Sequence, residues 1–146
     1  MLIEEASVKI IINELKKNKI SSHYFLDQFF IQYLIKYNSS SEFLDKSFII
    51  RYENNTLYCP MTIEIKDGFK YLNFFGNPFF CIYLKNDKNI FVFFKEKIKE
   101  IFEKEGIDEI NLVIEKFFAN QADLEKFILN KNFIKILNIK YINLDL

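Results

Sequence analysis

The chain has 146 residues, 20 basic and 20 acidic side chains and no net charge, which is the size of one ordinary domain. Hydrophobic residues make up 50%, with 18 Phe but only 3 Gly and 2 Pro; this leaves little for linkers or disorder, and a core can form without disulfide or metal. A protein that grips phosphate backbone carries a basic excess, and one arginine, Arg51, cannot supply repeated bidentate contacts, so nucleic-acid binding is disfavoured.

The first residues carry Glu4 and Glu5 where a signal peptide needs basic side chains. No apolar run approaches the roughly 18 residues of a membrane span. The expected location is cytoplasmic. Residues 4–17 space Val8, Ile11, Ile12 and Leu15 at helical intervals, acids first and lysines last, as the helix dipole favours. Ile10 departs from that stripe and leaves a short strand over 7–12 as the alternative. Ser21-Ser22 offers an N-cap for a second helix over 24–37, with Phe25, Phe29 and Leu34 inward, and residues 38–41 form a polar break.

Three strands follow, over 47–53, 56–65 and 70–75. Leu57, Cys59, Met61, Ile63 and Ile65 alternate as a half-buried strand should. Asn54-Asn55 and Asp67-Gly68 supply residues that tolerate positive φ, the requirement of two-residue hairpin turns. Pro60 cannot donate to a ladder and predicts a bulge or an edge position. Residues 79–84 are a further apolar run, either a short strand or the entry to a pocket. A helix over 87–106 puts Phe94, Ile98, Ile101 and Phe102 on one face and stops at Gly106. A strand over 109–115, a short helix over 122–130 and a closing strand over 132–146 complete the order. The expected fold is α/β (α+β), a mixed sheet with an antiparallel meander and helices on both faces.

That order resembles the GNAT fold of N-acyltransferases, in which two helices precede an antiparallel meander and a helix–strand–helix–strand tail follows. The closer likeness is to the amino-terminal lobe of Fem-type aminoacyl/peptidyl transferases. Three segments carry it: 46–52 (KSFIIRY), 56–61 (TLYCPM, with its proline) and 74–78 (FFGNP), the glycine-containing turn that ends the meander. The final residues 140–146 (KYINLDL) resemble the strand that leads into the second lobe.

The resemblance implies a partner, either a second GNAT-like lobe or another copy, and a small-molecule or peptide/glycan-precursor amine as acceptor. Aminoacyl-tRNA enters as donor only through the family likeness. It implies no cofactor. The glycine-rich turn that cradles the acetyl-CoA pyrophosphate has no counterpart in 76–89, so a stand-alone N-acyltransferase would need a divergent CoA loop. A non-catalytic binding or assembly module on this scaffold is the other alternative.

Arg51 and Tyr52 are the nearest candidates for substrate binding, since a guanidinium forks onto a carboxylate or phosphate. The plainer reading pairs Arg51 with Glu53 or Glu64. Gly76 and Asn77 can let backbone approach a ligand, or simply close a turn. Glu64 and Glu115 are candidate general bases, although alternation points both outward, to solvent. His23 is the only histidine, at an expected helix start, and no metal-ligand spacing occurs. Cys59 and Cys81 form no CxxC and read as two buried free thiols. Tyr71, Phe74, Phe75, Phe79 and Phe80 raise base stacking, but a Phe-rich core accounts for them better. The lysine runs read as solvated faces.

Overall fold

The structure, a computed structural model, describes residues 1–20, 26–79, 81–83 and 88–112. Ser7 separates two elements that the helical pattern runs together. Strand β1 (Leu2–Glu5) precedes it and helix α1 (Val8–Lys17) follows, with the Ser7 hydroxyl accepting from the Ile10 N–H at 3.3 Å. The helix expected over 4–17 therefore begins only at Val8, and the strand alternative over 7–12 is replaced by one upstream. The cause is tertiary: β1 pairs antiparallel with β3 (Phe48–Tyr52), Leu2 facing Arg51 and Glu5 facing Phe48. The inward face is as expected, with Val8, Ile11, Ile12 and Leu15 buried.

Helix α2 (Gln28–Tyr37) starts after Asp27, whose carboxylate accepts from the N–H groups of Phe29 and Phe30. Leu34 is buried, but Phe29 is 81% exposed, contrary to expectation. Five positions from Leu34, it lies about 140° round the helix and cannot share that face. Ser21-Ser22, His23 and Phe25 lie outside the described residues.

One long β-hairpin, bent in the middle, organises the strands. Its outgoing arm is β2 (Glu42–Asp45) and then β3; its returning arm is β4 (Asn55–Cys59) and then β5 (Thr62–Lys66). The register holds across the bend: Asp45 faces Thr62, and Phe48, three residues on, faces Cys59. Between these pairs Pro60 has no N–H for the ladder, and the strand expected over 56–65 divides in two. The halves belong to different four-stranded sheets. One runs β1-β3-β4-β7, where β7 is Ile82–Tyr83; the other runs β2-β5-β6-β8, where β6 is Phe69–Asn73 and β8 is Glu109–Ile110. The expected single mixed sheet is thus two sheets sharing a hairpin, and the α+β class stands. Among the described pairs of named strands only β6 with β8 is parallel.

Side chains seal the bend where the ladder lapses. The buried Ser47 hydroxyl accepts from the Met61 N–H at 3.0 Å and donates to its carbonyl at 3.2 Å. Asp45 accepts from the N–H groups of Ser47 and Val8, tying the bend to the start of α1. Ser47→Ala leaves the buried Met61 N–H without its acceptor, and we expect a loss of about 1–3 kcal/mol in urea unfolding.

Turns and one crossover complete the described fold. Asp67 and Gly68 both take positive φ, as expected, whereas the first hairpin loop is Glu53-Asn54, one residue earlier than expected, with Glu53 at φ 52. Helix α3 (Lys88–Glu105) crosses back so that β8 runs parallel to β6, and Gly106, at φ 65, ends it. Its buried Phe94, Ile98 and Ile101 face the core, and the Phe94 ring lies 6.3 Å from that of Phe48. Phe102 is half-buried. Phe74, Phe75 and Phe79 are buried as a Phe-rich core requires, while Phe80 lies outside the described residues. So do Glu115 and the helix and strand expected over 122–130 and 132–146.

Candidate functional site

The most chemically distinctive feature among the described residues is a buried carboxylate. Glu64, on β5, is 7% exposed rather than solvated as its alternation suggests. Thr62 shares its face, and Asn73 of β6 stands opposite Thr62. Both Glu64 oxygens are engaged: Ser41 Oγ donates to Oε1 and Asn73 Nδ2 to Oε2, each at 2.6 Å. These are charge-assisted bonds to an anion, the strong kind. Ser41 itself is only half-buried.

The network continues into the turn that ends β6. Asn73 Oδ1 accepts from the Gly76 N–H at 3.1 Å, and Thr62 Oγ1 accepts from the Phe75 N–H at 2.9 Å. Phe74 and Asn77 exchange both backbone hydrogen bonds, at 2.6 and 3.0 Å, with Phe75 (φ 48) and Gly76 (φ 85) between them in the left-handed region. A buried aromatic residue in that region is a strained position held by its surroundings. Asn38, the C-cap of α2, clamps it: its side-chain amide donates to the Leu34 and Phe75 carbonyls at 3.1 and 3.0 Å. A Cβ at Gly76 would sit 2.6 Å from Asn38 Nδ2.

Of the four expected site residues, Gly76 is joined to Glu64 through Asn73, and Asn77 belongs to the same turn. The other two belong to the opposite sheet. Arg51, on β3, donates to both oxygens of Glu14 on α1 at 2.7 and 2.9 Å and to Glu4 of β1 at 3.3 Å. Neither expected partner, Glu53 or Glu64, is used. The hydrogen bond to Glu14 is the main reason its guanidinium is held above its usual range. A cation so engaged ties α1 to β1 and β3. The Tyr52 ring packs 5.5 Å from Phe93 of α3.

No sequence pattern marks Ser41, Thr62 or Asn73 as site residues. Thr62-x-Glu64 was a visible polar pair on one strand face. What buries it is β2, where Phe43 faces Glu64, and nothing local announces that pairing.

A concavity of about 300 Å³ lies at the hairpin bend, lined by residues of the β1–α1 junction, the segment Asp45 to Phe48 and α3. Its charges are mixed. Lys46 and Glu105 pair across it at 2.7 Å, and this contact holds the Glu105 carboxyl below its ordinary range. Among the described residues no group of three or more His, Cys, Asp or Glu could hold a metal ion, and no helix is long and apolar enough to cross a membrane.

Asn111 shows how β6 and β8 part beside the Gly76 turn. Its N–H donates to the Leu72 carbonyl, while its own carbonyl accepts from the Phe79 N–H, both at 2.8 Å. The strand thus exchanges β6 for Phe79 as its neighbour, and Phe79 bridges Leu112 in parallel.

Comparison with protein-family models, curated proteins and solved structures finds no match to this chain.

Proposed function

We propose that the chain is an acyltransferase-related domain resembling the first lobe of a Fem-type aminoacyl or peptidyl transferase. In this reading it acts on an amine acceptor, with Glu64 taking the proton. The order of two helices, an antiparallel strand series and a helix returning a parallel strand supports the scaffold. The observation that carries the choice within it is Phe79, which pairs with Asn111 and Leu112 just past the last β6–β8 pair. A CoA-dependent enzyme would need an open splay there, and one of the two strands is already taken by the Phe79 segment. An amine attacking an acyl carbon must shed a proton as the new C–N bond forms and the leaving group departs. Glu64, bonded to the half-buried Ser41 and joined through Asn73 to the Gly76 turn, is the carboxylate we assign to take it.

A non-catalytic binding module is the second reading. It is favoured by the completeness of the network, in which every buried side-chain polar atom of the described residues has a partner.

Titration of the ¹⁵N-labelled chain with an amine-bearing cell-wall peptide, and separately with acetyl-CoA, tests the proposal. The peptide is expected to shift Ser41, Asn73, Gly76 and Asn77, while its N-acetylated form and acetyl-CoA leave them in place. Glu64→Gln preserves the shape, since its amide oxygen can accept from Asn73 and its NH₂ can face the Ser41 oxygen. It should weaken peptide binding by about tenfold or more, because a hydrogen bond to a charged group is worth roughly 1.5–3 kcal/mol. Saturable acetyl-CoA binding would instead indicate a stand-alone N-acyltransferase, and binding of neither would leave the module.

A further inference from the structure

Cys59 and Cys81 are the only cysteines in the chain, and both are free and buried. The strand register brings them together. In the antiparallel pair of β4 and β7, Leu57 faces Tyr83 and Tyr58 faces Ile82. Carried one residue past the paired positions, the same register sets Cys59 opposite Cys81, and the two thiols are within hydrogen-bonding reach. Residues directly opposite in such a pair have Cα atoms about 4.5–5.5 Å apart and side chains on the same face. A disulfide accepts Cα separations of roughly 4.4–6.8 Å. The backbone therefore already holds the spacing that a bridge requires.

We propose that Cys59 and Cys81 are a reversible thiol–disulfide site, oxidised by exchange with a small-molecule disulfide of the glutathione type. Cys81 is the entry point. It is 4% exposed against 0% for Cys59, and it leads into β7, which has two residues and ends the order of its sheet. Opening that short edge exposes Cys81 without disturbing the hairpin. The Cys81 thiolate attacks one sulfur of the small disulfide, and one small thiolate leaves. The Cys59 thiolate then attacks the Cys81 sulfur of the mixed disulfide and expels the second. Two electrons pass to the small disulfide, which ends as two thiols carrying the two protons. Burial, reinforced by hydrogen bonding with Cys81, pushes the Cys59 thiol well above its ordinary range. The second step therefore quickens as pH rises, because it needs the Cys59 thiolate.

The bridge would close a loop containing β5, β6 and the left-handed turn, tethering the Glu64 network to the other sheet. In a reducing compartment the pair rests as two thiols.

The test is incubation of the native chain with oxidised and reduced glutathione at graded ratios, followed by acid quench, intact mass and peptide mapping. The expected result is monomeric protein that loses both titratable thiols and two hydrogens, gives one peptide joining Cys59 to Cys81, and unfolds at higher temperature. Cys59→Ser should stop at the mixed disulfide on Cys81. Native protein that keeps both thiols under ratios that oxidise the urea-unfolded chain would overturn the proposal. So would linkage found only between molecules. Both outcomes are read on the wild-type chain, so neither depends on a variant folding.

Discussion

Phe48→Ala is expected to lower the free energy of unfolding by about 3–5 kcal/mol, the range for removing a fully buried aromatic ring. Phe48 is 0% exposed, follows the hairpin bend on β3 and faces Cys59, with its ring 6.3 Å from Phe94 of α3. The alanine would leave a void beneath α3, and α3 is the crossover that brings β8 beside β6. Urea unfolding followed by far-UV circular dichroism reads the loss as a lower midpoint at unchanged slope. Phe69→Ala is the control. Phe69 also lies on a strand but is 54% exposed, so its substitution should cost much less. Equal losses at the two positions would mean that α3 does not rest on Phe48.

Gly76→Ala is expected to cost about 2–4 kcal/mol, from two separable causes. An L side chain in the left-handed region costs roughly 1–2 kcal/mol. The added Cβ would also stand 2.6 Å from Asn38 Nδ2. Asn38 can yield only by releasing the Leu34 or Phe75 carbonyl, each bond being worth about 1 kcal/mol. Gly68→Ala isolates the first cause, since Gly68 has φ +83 and nothing within 4 Å of its added Cβ. Asn38→Ala combined with Gly76→Ala isolates the second. With the obstructing amide gone, the double variant should lose less than the sum of the singles. Strict additivity would show that the close approach to Asn38 carries no energy.

Both positions show what a local pattern can and cannot carry. Asp67-Gly68 announced its turn because a two-residue hairpin loop demands positive φ and those residues tolerate it. The buried faces of α1 and α3 were legible because a helix repeats its inner positions over several turns. The two thiols were legible as buried because their neighbours are apolar. Phe75 at φ 48 was not legible, since nothing in an aromatic side chain favours that conformation. The surrounding bonds from Thr62, Asn38 and Asn73 impose it.

The candidate site divides along the same line. Gly76 marked a turn, and Glu64 could be named as a carboxylate on a strand. Its burial depends on β2 and on Ser41, 23 positions away. Arg51 was conspicuous as the only arginine, but its partners, Glu14 and Glu4, lie 37 and 47 positions from it. Pro60 marked a break in a strand without revealing that the two halves enter different sheets. The α+β class, the inner faces of α1 and α3 and the position of the break can be read from local pattern, because propensity and periodicity act over a few residues. Which sheet each strand joins, which carboxylate is buried and that the two cysteines meet emerge only in the folded chain, because they depend on pairing between distant segments.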